Sequence, residues 1–181
     1  FKQDGDGYLE RKRSHLYVFD VETKKLDTLT KGDYDEGNPI WSPDSKKIAF
    51  VSNRTTDPDR NANSDLWAMD AKKGSPLRQL TTWADSDNSP AWSPDGKYLL
   101  TTGHDQHAKV WDVPSGELYY DIFYNSNNWI EKGFITGDGK NVLLISDDAM
   151  EYYDLIGKKL VWGLMDTSSY RVYNDGVKWR H

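Results

Sequence analysis

The chain has 181 residues, of which 36% are hydrophobic and 29% are charged, and its formal net charge is −6. This balance is typical of a folded globular protein, and the negative charge opposes nucleic-acid binding, because phosphate contacts need clustered lysine and arginine. The chain contains no cysteine, which excludes disulfide bonds and thiolate chemistry. No stretch approaches the roughly 20 apolar residues of a membrane-spanning helix, and no signal peptide opens the chain. We therefore expect a soluble, cytoplasmic protein that binds neither nucleic acid nor membrane.

Aromatic residues indicate the fold class. The chain contains 8 Trp, 11 Tyr and 5 Phe, and these residue types favour the half-buried, pleated surface of a β-strand. Long runs with helical periodicity are scarce, so we predict a nearly all-β fold in a single domain over residues 1–181. Because the sequence starts at Phe1 and not at Met, we expect a segment or a processed chain.

The first predicted elements are a turn at Asp4–Gly7 and a strand from Ser14 to Val21. Between them lies the one basic run, Glu10–Arg13, which has aspartates on both sides. Charge runs of this kind are usually solvated, so we interpret it as a hairpin edge and not as an anion site.

Two markers recur along the rest of the chain. Apolar or aromatic runs end in aspartate at Asp20, Asp70, Asp112 and Asp154, and an aromatic residue precedes a turn at Trp41, Trp92 and Phe134. Both markers report a repeat of about 42 residues with one insertion of about nine.

Each repeat contains four strand-like runs separated by turn signals. In the third repeat these runs are 89–92, 98–102, 108–113 and 118–123, and the turns between them contain Pro or Gly. Four short antiparallel strands in a repeat of this length are typical of a β-propeller blade. We therefore predict an all-β propeller with about four blades in each chain.

The two ends of the chain suggest how the ring closes. The first blade lacks its innermost strand, while Ser168–Asp175, after the strand Leu160–Leu164, can supply one more. Such a strand would complete the first blade and cover its open edge. Four blades are few for a propeller, so we expect two chains to form one ring of about eight blades as a homodimer; closure within one chain is the alternative.

The first part of the chain resembles a known family. Gly37–Asp44, followed by Ile48–Arg54, is similar to the propeller of the prolyl oligopeptidase family of serine peptidases, and closest to its acylaminoacyl-peptidase-like members. The resemblance extends over Tyr8–Asp20, Asp57–Asn61 and Leu80–Trp83, and thus covers roughly residues 1–103. It implies a propeller that controls access to an active site located elsewhere.

From about His104 the chain is more similar to WD repeats. Asp105 precedes Trp111 and Asp112 with WD-repeat spacing, and Asp147, Tyr153 and Asp154 repeat it. In WD repeats the turn aspartate, an inner Ser or Thr, the Trp and a His form a hydrogen-bonded network, and here the His is missing from residues 83–89. We therefore hypothesise an engineered or recombined chimera whose junction lies near residue 103, in a turn between strands.

No residue cluster indicates a reaction. The peptidase family places its catalytic residues in an α/β-hydrolase domain whose nucleophile lies in a Gly-x-Ser-x-Gly turn, and that motif is absent from this sequence. The histidines His15, His104, His107 and His181 have no Ser and carboxylate partners by motif. We predict no catalytic, cofactor-binding or metal-binding residues and no cofactor.

Two patterns leave alternatives open. Oxygen-bearing side chains alternate from Asp57 to Asp65, as Ca²⁺ ligands do, but the Gly and Glu of the EF-hand pattern are replaced by Ala62 and Ala68, which favours a solvated loop. Aromatic side chains could form a ligand platform, but we expect packing between blades for Trp41, Trp67, Trp92 and Trp111, and surface or closure positions for Trp129, Trp162 and Trp179.

The sequence thus predicts a non-catalytic propeller scaffold that self-associates. One alternative is a WD-repeat-like module that binds a peptide or protein. Others are a substrate-gating propeller segment separated from its peptidase domain, and an enzyme that uses propeller loops around a central metal.

Overall fold

The structure, a computed structural model, describes residues 12–82, 86–103, 105–124 and 129–165. Over these residues the chain forms fourteen strands and no helix, so none of the described part could cross a membrane as a helix. The strands are β1 (Tyr17–Phe19), β2 (Leu26–Thr28), β3 (Glu36–Trp41), β4 (Lys47–Ser52), β5 (Asp65–Asp70), β6 (Arg78–Gln79), β7 (Asp87–Trp92), β8 (Tyr98–Gly103), β9 (His107–Asp112), β10 (Glu117–Phe123), β11 (Lys132–Ile135), β12 (Asn141–Ile145), β13 (Ala149–Asp154) and β14 (Lys159–Met165).

The strands form four antiparallel sheets, which are the blades. β1 and β2 form the first blade, β3 to β6 the second, β7 to β10 the third and β11 to β14 the fourth. Within each blade the strands lie side by side in chain order, because short turns join neighbours. The predicted all-β fold of four-stranded blades is confirmed, and the strands of the third blade begin and end within two residues of their predicted bounds.

The ends of the chain are described only in part. The first predicted strand, Ser14–Val21, is reduced to Tyr17–Phe19, and the last one, Leu160–Leu164, extends over Lys159–Met165. The turn at Asp4–Gly7 and the closing strand Ser168–Asp175 lie outside the described residues.

One hydrogen-bonded turn joins the first two strands of every complete blade. The Ser93 hydroxyl donates to Asp95 Oδ1 at 2.6 Å and accepts the Tyr98 amide at 2.8 Å. Ser42 and Thr136 occupy the same position in the other two blades; they donate at 2.6 and 2.5 Å to the carboxylates of Asp44 and Asp138, respectively.

This turn corrects the alignment of the repeats. It superposes Thr136 on Ser93, so Ile135 and not Phe134 takes the place of Trp92. The strand register agrees, because Ile135 pairs with Val142 as Trp92 pairs with Leu99, each partner being the second residue of the next strand. The sequence Phe134–Gly139, which lacks the Trp-Ser-Pro-Asp of earlier blades, therefore forms the same turn from Thr, Gly and Asp.

The predicted insertion of about nine residues lies between the second and third strands of the second blade. Residues 53–64 join β4 to β5, whereas residues 104–106 join β8 to β9. The extra residues do not interrupt any strand, because β4 and β5 pair without a register shift from Lys47 to Ser52.

Apolar clusters lie between successive blades. Ile48, Phe50 and Met69 of the second blade pack with Leu16 and Leu29 of the first. Alternate residues of the same strands face the third blade, and the corresponding faces of the third and fourth blades form the largest cluster. Each complete blade thus has a leading face toward the blade before it and a trailing face on the opposite side, which in the second and third blades packs on the next blade.

Three of the four tryptophans that we expected to pack between blades do so. Trp111 is buried, and Trp67 and Trp92 lie partly buried against the apolar clusters. Trp41 differs, with 50% of its surface exposed. Its strand partner is Ile48, so it faces the first blade, and the described part of that blade contains only the two strands β1 and β2.

Candidate functional site

A polar groove of ≈ 470 Å³ lies where the innermost strands β3 and β7 begin. We call it the mouth groove. Three parts of the chain contribute to it: the segment before β1, the start of each innermost strand, and the long loop 53–64. Its polar walls include Arg13, Asp35, Asn53, Asp59, Asn61 and Asn88.

Arg13 joins the parts of the groove. Its guanidinium donates to Asp33 at 2.8 Å, to Asp35 at 2.9 Å and to both oxygens of Asp59 at 2.9 and 3.0 Å. The bonds to Asp59, Asp33 and Asp35 raise the pKa of Arg13 above its usual range. The side chain of Arg13 is only 11% exposed, so the prediction of a solvated hairpin edge is wrong for this residue.

The long loop is held by its own amides. Asn53 Nδ2 donates to Asn61 Oδ1 at 2.9 Å, and Asn61 Nδ2 donates to the Asp57 carbonyl at 2.8 Å. Asp59 is bound to Arg13, and Asp65 accepts bonds from Thr81 and Gln79 inside the protein. The oxygens considered for Ca²⁺ therefore serve different partners, and no group of three potential ligands of the His, Cys, Asp or Glu type is found among the described residues.

Both innermost strands contain a bulge beside the groove. The register of β3 shifts between Gly37 and Ile40, and that of β7 shifts between Asn88 and Ala91. Within the bulges Asn38 and Ser89 have φ values of 48° and 46°, each directly before a proline. The repeat of this unusual backbone at equivalent positions shows that the groove wall is built in the same way in two blades.

A buried carboxylate lies beneath the groove at the junction of the first and second blades. Glu36 accepts from Thr30 Oγ1 at 2.9 Å, lies 2.8 Å from His15 Nδ1 and is paired with Arg54. The guanidinium of Arg54 also lies over the ring of Tyr34, with 4.7 Å between its Cζ and the ring centroid. These contacts compensate the cost of burying the charge of Glu36.

A second buried cluster lies at the junction of the second and third blades. Lys109 Nζ lies 3.6 Å from Asp87 Oδ1 and 3.3 Å from Asp105 Oδ2. Burial raises the pKa of Asp87, although the charge of Lys109 acts in the opposite direction. Trp111 Nε1 donates to Thr101 Oγ1 at 3.0 Å, and that hydroxyl lies 3.2 Å from Asp87 Oδ1.

This second cluster can be compared with the network expected from the WD-repeat resemblance. The turn aspartate, the inner threonine and the tryptophan are in place, and Asp87 completes the chain of contacts where a histidine was expected and is missing. In the fourth blade Asp147 is exposed, and the Tyr153 hydroxyl donates to Glu151 instead. The spacing is therefore repeated in the fourth blade without the network.

The described histidines lack the geometry of a catalytic triad. A triad needs histidine between the nucleophile and the carboxylate, but here Glu36 lies between Thr30 and His15. The Nδ1 atom of His107 lies 2.7 Å from Asp121, and its ring packs edge-on against Phe123. His104 and His181 lie outside the described residues.

Sequence reasoning did not identify the mouth groove. Its central contacts join residues that are 20 to 46 positions apart in the chain, so no local motif contains them. The only available signal was the long insertion at 53–64, because long loops on a rigid scaffold often carry function.

Comparison with known sequences identifies a propeller family and two proteins that are similar to parts of this chain. The sequence profile of the TolB beta propeller domain matches residues 8–168. A peptidase of Bacillus subtilis (strain 168), described as uncharacterized peptidase YuxL, is 31% identical over 100 residues, which are 55% of this chain and 14% of the peptidase. The Tol-Pal system protein TolB of Ruthia magnifica subsp. Calyptogena magnifica is 30% identical over 87 residues, which are 48% of this chain and 19% of TolB.

Solved structures support the same fold. The crystal structure of TolB from Acinetobacter baumannii matches 81% of this chain with a TM-score of 0.61 at 22% identity, and the match covers 36% of that chain. Kuenenia stuttgartiensis hydrazine synthase matches 71% of this chain with a TM-score of 0.56 at 16% identity, over 35% of its own chain. The protein thus spans about a third or less of each of these relatives.

Proposed function

The chain belongs to the TolB beta propeller domain family, and we propose that it is a non-catalytic binding module whose mouth groove holds a basic segment of a polypeptide. The observation that carries this proposal is the composition of the groove. Among the described residues, three carboxylates surround the guanidinium of Arg13, and the formal charges of these four groups add up to −2. A lysine or arginine of a ligand would therefore be attracted to these groups.

The volume and the lining residues of the groove are also those of a binding site. Its volume of ≈ 470 Å³ is within the range of ligand pockets. The side-chain amide of Asn88 lines it beside the carboxylates, whereas those of Asn53 and Asn61 are hydrogen-bonded within the long loop. The amide of Asn88 can pair with the backbone of an extended peptide. The ion-paired and bulged walls favour a preformed site, which lowers the entropic cost of binding.

Peptide binding can test the proposal. Fluorescence anisotropy would compare labelled peptides of equal length that are rich in lysine or rich in glutamate. We expect the basic peptide to bind more tightly, and Asp33→Asn to weaken it about tenfold, or about 1.4 kcal/mol. Asp33 suits the test because it is 77% exposed at the rim of the cluster.

Asp70→Asn is the matched control. Asp70 lies at the opposite end of β5 from the groove and pairs with Lys47 at 2.7 Å, so its loss should leave peptide binding unchanged. Equal affinity for both peptides, or an equal effect of the two substitutions, would contradict the proposal.

A second candidate function is a substrate-gating propeller segment of a serine peptidase. The similarity to the peptidase of Bacillus subtilis over 55% of this chain favours it. In this case too the chain itself would lack catalytic activity, and a fluorophosphonate probe, which labels activated serines, should not label it. Labelling that heat denaturation abolishes would show an active nucleophile and contradict both candidates.

That the chain is a chimera remains a hypothesis, which we infer from its two sequence resemblances. The family profile runs across residue 103 from residue 8 to residue 168, and Gly103 ends strand β8, where a junction would leave both flanking ladders intact. A profile search with residues 1–103 and 104–181 separately tests it. Two different families would support the chimera, and one family of natural proteins for both halves would contradict it.

A further inference from the structure

The carboxylates of the mouth groove already hold a guanidinium. We call Asp33, Asp35 and Asp59 the acidic cluster. Arg13 Nε donates to Asp33 at 2.8 Å, Nη1 donates to Asp35 at 2.9 Å, and each Nη atom donates to one oxygen of Asp59, at 2.9 and 3.0 Å. The side chain of Arg13 is 11% exposed, whereas those of the three aspartates are 77%, 43% and 41% exposed. The guanidinium is therefore more deeply buried than the carboxylates, which a ligand can reach from solvent.

The geometry of these contacts suits a guanidinium better than an ammonium. Two nitrogen atoms of Arg13 bind the two oxygens of Asp59 side by side, which is the bidentate arrangement that a planar guanidinium offers. The third nitrogen binds Asp33 at the same time. A lysine ammonium has a single nitrogen, so it cannot make two parallel bonds to one carboxylate and reach another carboxylate with a further atom. The acidic cluster is thus arranged for an arginine side chain.

The acidic cluster has supports other than Arg13. Asp35 Oδ1 accepts a hydrogen bond from the Ser14 amide at 2.8 Å, while Arg13 uses the other oxygen of that carboxylate. The long loop 53–64, which carries Asp59, is held by hydrogen bonds of its own amides. These carboxylates would therefore stay in place if a different guanidinium took the position of Arg13.

The backbone that follows Arg13 is fixed as well. The Glu36 amide donates to the Ser14 carbonyl at 2.9 Å, and the Leu16 amide donates to the Thr30 hydroxyl at 2.8 Å. Rotation about the side-chain bonds of Arg13 can therefore carry its guanidinium out of the acidic cluster without breaking these backbone contacts. The guanidinium is the part of the groove that can leave.

We propose that Arg13 occupies the place of an arginine side chain of the ligand and competes with it from within the chain. On binding, the guanidinium of the ligand replaces that of Arg13 at the acidic cluster, and the side chain of Arg13 turns toward solvent. This role of Arg13 rests on the proposed function of the groove and adds two properties to it. The groove selects arginine over lysine, and Arg13 lowers the affinity until a ligand with further contacts displaces it.

Fluorescence anisotropy tests the exchange with two labelled peptides of equal length and charge, one rich in arginine and the other rich in lysine. Arg13→Lys is the most informative variant, because it keeps the charge at the groove and removes the planar fork. We expect the wild type to prefer the arginine peptide, and Arg13→Lys to bind that peptide about tenfold more tightly than the wild type, because lysine competes less well for the cluster. Arg13→Gln removes the competing cation and should bind the arginine peptide more tightly still.

Arg60→Gln is the matched control for Arg13→Gln. Arg60 lies in the same long loop as Asp59, is 85% exposed and pairs with Asp57. Its substitution removes an equal charge near the groove but leaves the bonds of Arg13 intact, so it should tighten the binding of both peptides slightly and by the same factor. Circular dichroism would confirm that all variants fold.

A competition experiment on the wild-type protein needs no substitution. Ethylguanidinium and ethylammonium carry the same charge and the same apolar group, and they represent the ends of the arginine and lysine side chains. Ethylguanidinium should displace the arginine peptide at a lower concentration than ethylammonium does. Equal displacement by the two ions would show that charge alone decides binding and would overturn the selectivity for arginine.

Two other results would overturn the role of Arg13 and leave the proposed function standing. The first is a wild-type protein that binds the arginine and lysine peptides equally well, and both more tightly than a glutamate-rich peptide. The second is a folded Arg13→Gln variant that binds the arginine peptide no more tightly than the wild type, because Arg13 would then be part of the binding surface. If the glutamate-rich peptide bound as tightly as the basic ones, the proposed function would fail, and the role of Arg13 with it.

Discussion

At the scale of single residues, backbone conformation distinguishes turns that otherwise have the same hydrogen bonds. Ser45, Gly96 and Gly139 each directly follow the aspartate of the turn between the first two strands of a blade, with φ values of 57°, 72° and 70°. Glycine adopts this left-handed conformation without strain, whereas a side chain is disfavoured there. The second blade therefore has the least favourable residue of the three at this position.

We predict that Ser45→Gly stabilises the protein by about 0.5–1 kcal/mol, because relief of the strain exceeds the added entropy of the unfolded chain. Gly96→Ser is the reciprocal change and should destabilise by a similar amount. The midpoint of urea denaturation measures both. A lower midpoint for Ser45→Gly would show that the side chain of Ser45 stabilises the protein by more than the left-handed backbone destabilises it.

Glu151 gives a prediction for the dependence of stability on pH. It is buried between the third and fourth blades, and burial raises its pKa, although the hydrogen bond from Tyr153 acts against this. The folded protein therefore holds this proton more tightly than the unfolded chain. The resulting stabilisation is complete below the unfolded pKa and is lost as the pH rises through the folded pKa.

Glu151→Gln should remove this loss, because the neutral amide keeps an acceptor for Tyr153 and carries no charge to bury. We expect the free energy of unfolding of the variant to exceed that of the wild type increasingly from acidic to neutral pH, as measured by urea denaturation at several pH values. Glu117→Gln, at an exposed position, is the control and should follow the wild type. If the free energies of unfolding of Glu151→Gln and the wild type differed by the same amount at all pH values, the raised pKa of Glu151 would be contradicted.

At the scale of elements, the junction between the third and fourth blades depends on one close approach. A Cβ atom on Gly133 would lie 2.6 Å from Leu100 Cδ2 and 3.2 Å from both Leu144 Cδ2 and Thr102 Cγ2. All three neighbours are fully or almost fully buried, so they have little room to move. Strand β11 can therefore approach the third blade this closely at Gly133 only because that residue has no side chain.

Gly133→Ala should destabilise the protein by about 1–3 kcal/mol through overpacking of this junction. Gly137→Ala lies two residues beyond β11, and its added Cβ would have no atom within 4 Å; it is the control and should change stability little. Thermal denaturation of the two variants measures the difference. If both changes had the same small effect, the junction would be looser than the structure shows.

At the scale of the whole molecule, the described blades form a series, and apolar side chains are exposed on the outer faces of its first and last blades. The homodimer that the sequence predicts would link association to folding, because only folded chains associate. We predict that the Tm of the wild-type chain rises with protein concentration, whereas that of Trp162→Lys, which places a charge on the outer face of the last blade, does not. Differential scanning calorimetry at two protein concentrations measures both Tm values. A wild-type Tm that is the same at the two concentrations would contradict the link between association and folding.

Local patterns in the sequence determined the architecture. The repeat of about 42 residues, the alternation of apolar residues and the Ser-Pro-Asp turns are properties of neighbouring residues, and they predicted the blades and the strand bounds of the third blade. Even the altered turn at Thr136–Gly139 keeps the hydroxyl and carboxylate that its hydrogen bonds need. Strand period and turn chemistry act over a few residues, so a single sequence displays them.

Only the tertiary structure decided the site and the exposed faces. Arg13 meets Asp33 and Asp59 because the first blade lies beside the long loop of the second, and nothing near Arg13 in the sequence indicates those partners. Trp41 and Trp92 share one sequence marker, yet Trp41 is half exposed because the described part of the first blade has no inner strands to cover it. Such differences arise from packing between blades, which depends on what lies beside each residue in space and not on what precedes it in the chain.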